Sequence, residues 1–168
     1  HEGWKGFFSN KSFGGMAMSE VIGRVPPNSL EAEQSILGSM LLSEECALIA
    51  VSSVNENDFY TETHRRIFRA MYDLAAVSKP IDLVTVTEKL EQSDKLSIDE
   101  LTYLSDLTQR VPSVKNLNVY IGIVREKALM RRLLSVCGNI VDDVYSQEMT
   151  ARELINAAGD QERNRGEL

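Results

Sequence analysis

Residues 113–145 read SVKNLNVYIGIVREKALMRRLLSVCGNIVDDVY. The stretch holds no proline, and its two glycines stand alone at 122 and 138. The spacing predicts one helix of about 30 residues, about 45–50 Å long at ~1.5 Å per residue. That is far longer than an ordinary globular helix. On a wheel of about 100° steps, Leu117, Tyr120, Ile121, Val124 and Ala128 share one face. Val119, Ile123, Met130, Leu134, Cys137 and Val141 form a stripe roughly opposite, and Leu133, Ile140 and Val144 widen it in the second half. Arg132, Ser135, Asn139 and Asp142 take over the side of the first face. The first half is therefore apolar on two faces and the second half on one.

Those faces imply two surroundings. The first face is expected to pack on a globule formed by the preceding residues. The stripe runs on into a hairpin with a returning helix, which Thr150 and Glu153 cap and Leu154, Ile155 and Ala158 line. A two-helix hairpin buries little by itself. Its remaining apolar surface is expected to meet another subunit. The alternative is a hairpin folded back on its own globule.

Upstream, local signals place about five helices. Pro26-Pro27 makes a rigid lead-in. Asn28 and Glu31 have capping-box spacing, with Ser29 as a competing cap, for a helix over 29–42 carrying Leu30, Ile36, Leu37 and Met40. Glu44 and Glu45 open a short helix that Asn55–Asp58 breaks. A third helix runs from Thr61 or Thr63 to Ala76, with Phe59 and Tyr60 at its front edge. The β-branched run Val84–Thr87 leans toward strand, but Asp82 as a cap and the polar residues 88, 89 and 91 favour helix. Ser97 and Glu100 make a capping box for a helix ended by Arg110–Ser113. The predicted fold is all-α: a globule of five to six helices, then a long antiparallel helical hairpin.

The 168 residues suit one domain with an appendage. Residues 1–17 read as an expression-vector remnant, with Met16 or Met18 as a native start; the alternative is a natural aromatic arm that docks on a partner. Residues 18–112 read as the globule, 113–160 as the hairpin, and 161–168 as a polar tail. Eighteen Lys and Arg against 25 Asp and Glu leave a net charge of -7. This weighs against a domain that grips a nucleic-acid backbone by itself. The short cluster Arg125, Lys127, Arg131 and Arg132 is interrupted by Glu126 and lacks interleaved aromatics, which favours salt bridging or protein contact. No run is long and apolar enough for a membrane span.

No catalytic motif stands out. GxxxxGK[ST], HExxH, GxSxG and CxxC patterns are absent, so no catalytic, cofactor or metal residues are assigned. Cys46 and Cys137 read as reduced thiols in or near a core. His64, at a helix start, reads as a capping or partly buried structural residue. Glu31, Glu33, Glu44, Glu45, Glu56, Asp58 and Glu62 read as solvated or helix-start charges.

In order along the chain, PPNSLEAEQSILGSMLL at 26–42 resembles the opening of the N-terminal domain of the bacterial replicative DNA helicases of the DnaB type. Asp58-Phe59-Tyr60 with His64, Ile67 and Phe68 resembles that family's DFY…H..IF segment. Pro80-Ile81-Asp82-Leu83 with Val86 and Leu90 resembles its PIDL segment. Tyr103-Leu104 with Leu107, Pro112, Ser113 and Asn116 resembles a further segment, and Tyr120–Lys127 resembles the Y..IVREK start of the hairpin. One departure is that Ser97–Leu101 stands where the family usually has Gly-Gly before the Tyr-Leu pair.

The resemblance implies a noncatalytic piece of a hexameric, ATP-driven 5′-to-3′ helicase whose motor domain lies elsewhere. Its hairpins pair between subunits into a collar, which docks the C-terminal helicase-binding domain of primase and couples priming to unwinding. A helicase loader is a further candidate partner, and single-stranded DNA enters only in the context of the ring. A cytoplasmic replication-fork setting follows. The alternative is a stand-alone adaptor binding helicase or primase. Tyr120, Ile121, Val124 and Arg125 carry the hairpin-start motif. Pro27, Leu30, Glu31, Glu33, Gln34, Asp58, Phe59, Tyr60, His64, Phe68, Asp82 and Leu83 match family segments and are expected to be structural.

Overall fold

The computed structural model describes residues 25–93, 96–146 and 150–166, with side chains as far as residue 160. The reading of residues 1–17 as a vector remnant lies outside them. Among the described residues the regular structure is entirely helical. The helices are α1 (Leu30–Leu42), α2 (Glu44–Ser53), α3 (Glu62–Ala76), α4 (Leu83–Glu91), α5 (Ile98–Leu107), α6 (Leu117–Ser146) and α7 (Ala151–Gly166). Two 3-10 turns, Glu56–Asp58 and Val114–Asn116, precede α3 and α6.

Most helix starts sit where short polar side chains cap them. Ser43 and Thr61 accept from the backbone N–H of Cys46 and His64 at the heads of α2 and α3. At α4 the Thr85 N–H donates to Asp82 Oδ1 at 2.9 Å, and the Asp82 N–H donates to Thr85 Oγ1 at 3.0 Å. This reciprocal cap, with Val86 and Leu90 buried below it, overrides the strand lean of the Val84–Thr87 run. Replacing Asp82 with alanine is expected to cost about 1 kcal/mol of stability in urea unfolding. No measurable loss would mean that burial alone holds α4. At α5 the Ser97 N–H and hydroxyl both donate to Glu100 and hold its carboxyl below the usual range.

Two starts differ from expectation. The α1 N-cap is Ser29, and it makes no side-chain capping bond. The stiff Pro26-Pro27 pair sets the approach instead. Regular α-helix begins at Leu117 rather than Ser113, because Ser113 accepts from Lys115 N–H and tightens the first turn into 3-10 form. At the far end α7 runs on through residues 161–166. Gln, Glu and Arg there are good helix formers.

The chain divides into two compact units, Pro27–Leu129 and a unit that takes α6 from Met130 onward together with α7. The first holds one core. Ile36, Leu37 and Met40 of α1 meet Phe68 and Met71 of α3 and Leu104 and Leu107 of α5, all almost wholly buried. Phe59 and Phe68 sit with ring centroids 5.0 Å apart in a tilted pair. Each such side chain contributes about 1.5–3 kcal/mol of burial. The face of α6 expected to pack on the globule lies in this core: Leu117, Ile121 and Val124 are buried in it, and Tyr120 packs against it.

Gly38 lies inside α1, against Leu107 at the C-terminal end of α5. A Cβ there would overlap the Leu107 carbonyl oxygen and the Val111 side chain. Among the described residues no such neighbour stands near Gly122 of α6.

Candidate functional site

In the first unit, Val119 of the stripe is 61% exposed and Ile123 is also exposed, on the side of α6 away from the core face. Val124, one residue on, is 1% exposed. In the second unit Met130, Leu133, Leu134, Cys137 and Val144 are exposed, and Ile140 and Val141 are half-buried. Leu133 and Leu134 keep 47% and 44% of their surface. Apolar side chains at helical spacing with so much open surface are chemically fitted to a protein contact. Leu129 in the first unit and Tyr145 in the second are further exposed apolar residues that the sequence reading does not name. Val136, also unread, is buried. Cys137 is exposed, which corrects its reading as a near-core thiol; Cys46 is buried. Arg125 is exposed beside Val124.

A second constellation was not foreseen. Glu33 on α1 is 1% exposed and His64 on α3 is 2% exposed. His64 Nδ1 lies 2.6 Å from Glu33 Oε2, and His64 Nε2 lies 2.6 Å from the Tyr103 hydroxyl on α5. The Tyr60 N–H donates to the other Glu33 oxygen at 2.8 Å. Gln34 Nε2 donates to the Tyr103 hydroxyl at 3.0 Å. Arg65 of α3 donates to the carbonyls of Phe59 and Tyr60 and so fixes the segment that delivers the Tyr60 N–H.

This corrects the reading of Glu33 as a solvated charge. Burial is tolerated because both carboxylate oxygens are met and because the first turn of α1 favours an anion. Asp58 is buried too, at 4% exposure, and accepts the Asn55 N–H at 2.9 Å. Glu44, Glu45 and Glu62 are exposed as expected. A signal was available. Glu33 stands three, four and seven residues before Ile36, Leu37 and Met40, and His64 stands likewise before Ile67, Phe68 and Met71. Each heads an apolar stripe and belongs to its buried face.

The remaining matched positions separate cleanly. Phe59 and Phe68 are core, Asp82 is a cap, and Pro27 is half-buried before α1. Leu30, Glu31 and Leu83 are exposed. Among the described residues no group of three His, Cys, Asp or Glu side chains could hold a metal ion, and no helix is long and apolar enough to cross a membrane.

Comparison with known proteins agrees with this architecture. The DnaB-like helicase N terminal domain family matches residues 25–126. The chain is 42% identical over 134 residues to the replicative DNA helicase DnaB of Buchnera aphidicola subsp. Baizongia pistaciae, covering 79% of this chain and 29% of that protein. It is 39% identical over 143 residues to the replicative DNA helicase DnaB of Geobacillus stearothermophilus, covering 84% of this chain and 32% of that one. It therefore spans about a third of the length of these relatives. Among solved structures, the N-terminal domain of DnaB helicase from Mycobacterium tuberculosis superposes with a TM-score of 0.74 at 35% identity, covering 81% of this chain and 97% of that one. With more than half its length matched, the chain belongs to the DnaB-like helicase N-terminal domain family.

Proposed function

We propose that this domain is the noncatalytic assembly and primase-docking part of a hexameric replicative DNA helicase. Its hairpins pair between subunits to build a collar, and the collar couples priming to unwinding. The parent chain is an ATP-dependent 5′-to-3′ helicase that works in the cytoplasm at the replication fork. The observation that carries the reading is the open apolar stripe on α6 from Met130 to Val144. It has the spacing of a helix seam and no charged residue at its stripe positions. Val119 and Ile123 continue the same spacing nearer the start of α6. The acidic balance of the chain fits a module whose contacts are with protein.

Leu134→Glu is the direct test, because it sets a charge in the apolar contact. Sedimentation of the wild type is expected to show self-association in the micromolar range. The variant is expected to associate at least about tenfold more weakly, with unchanged helix content. A wild type that stays monomeric at high micromolar concentration would sink the hairpin-pairing reading. Titration with the primase C-terminal domain separately tests docking: saturable binding supports it, and no binding to the assembled form overturns it.

A further inference from the structure

Assembly through α6 has no use for a buried carboxylate, an imidazole and a phenol in series, yet the first unit contains that series. Its donors and acceptors can be counted atom by atom. One proton lies in the 2.6 Å contact between His64 Nδ1 and Glu33 Oε2, and the far end of the series assigns it. The Gln34 amide nitrogen only donates, so the Tyr103 oxygen accepts from it. Among the described residues, the acceptor within reach of the phenol's own proton is then His64 Nε2 at 2.6 Å. If Nε2 carried a proton instead, the phenol oxygen would receive two donors. Its own proton would be left without an acceptor among the described residues.

The other titratable groups on segments packed against α3 are already engaged or face solvent. Glu56 pairs with Arg69, Glu100 with Arg66, and Asp73 with Lys89. Asp58 caps Asn55, and Cys46 faces the Val114 carbonyl. Glu31, Glu44, Glu45, Glu88, Glu91 and Asp99 are exposed.

The geometry points to a directional hydrogen-bond relay, Gln34 to Tyr103 to His64 to Glu33, in which the half-buried Gln34 sets the protonation of the buried imidazole. Its donated proton turns the Tyr103 hydroxyl inward, and the inward hydroxyl keeps Nε2 as a lone pair. His64 is thereby held as the Nδ1–H tautomer. An acceptor in place of the Gln34 amide nitrogen reverses the first two links: Tyr103 donates outward, and Nε2 takes up a proton and donates to Tyr103, while Nδ1 still donates to Glu33. Gln34 is a positioning residue in this scheme. The relay makes a buried site, pinned between α1, α3 and α5, answer to a group at the edge of α1.

The test is nitrogen-15 NMR of the imidazole in the whole chain at about pH 8, where an ordinary histidine holds one proton. The sequence has two histidines, His1 and His64, and His1→Gln assigns the signals. The wild type is expected to show a protonated Nδ1 and an unprotonated Nε2. Gln34→Glu is expected to give an imidazole protonated on both nitrogens. A negative charge alone could do the same through space, so the double variant Gln34→Glu with Tyr103→Phe separates the two causes. It is expected to return His64 to the single Nδ1 proton. Three results overturn the relay: a wild type protonated on Nε2, a Gln34→Glu variant with an unchanged imidazole, and a double variant still protonated on both nitrogens. The wild-type spectrum decides the tautomer even if a variant fails to fold.

Discussion

His64→Leu is expected to destabilise the domain by about 3–5 kcal/mol in urea unfolding, a large share of the stability of a domain this size. The leucine fills much of the space but removes the donor that meets Glu33 Oε2 at 2.6 Å. Glu33 keeps the Tyr60 N–H and loses its other donor, while remaining almost wholly buried. At the far side Tyr103 loses its acceptor. An unpaired charge in the interior costs more than the pair ever contributed. Adding Glu33→Leu to the same chain is expected to recover part of the loss, because it takes the orphaned carboxylate away. A loss below about 1 kcal/mol for His64→Leu would show that the carboxylate reaches water or another donor.

Gly38→Ala is expected to cost about 3 kcal/mol or more, or to prevent folding. In an open helix the same change would gain up to about 1 kcal/mol, since glycine is a poor helix former. At Gly38 the new methyl group overlaps a backbone carbonyl, that of Leu107, which cannot swing aside as a side-chain end can. Gly122→Ala on α6 is the matched control, because nothing among the described residues stands within 4 Å of its added Cβ. The pair should move in opposite directions when thermal unfolding is compared. If both variants unfold like the wild type, α1 and α5 do not cross as closely as described.

Most of the helices were legible because their starts are decided within a few residues. Asp82 and Thr85, Ser97 and Glu100, and Thr150 and Glu153 are partners three residues apart. The periodicity of α6 likewise separated the core positions Ile121 and Val124 from the open positions Val119 and Leu134. Where the reading slipped, the deciding contact was remote. A carboxylate is ordinarily solvated, and at Glu33 residue type alone misleads. Glu33 has its partners 27 and 31 residues away, at Tyr60 and His64.

By itself the sequence determined the all-helical class, the helix order, the core face of α6 and, through its ordered segments, the family. Caps and apolar periods are short-range and write themselves into neighbouring residues. Only the tertiary structure decided that Glu33, His64, Tyr103 and Gln34 form one chain of hydrogen bonds and that Gly38 admits no side chain. Those contacts join α1, α3 and α5 across separations of up to 69 residues. Burying a charge is permitted or forbidden by partners that only the folded chain brings within hydrogen-bonding distance.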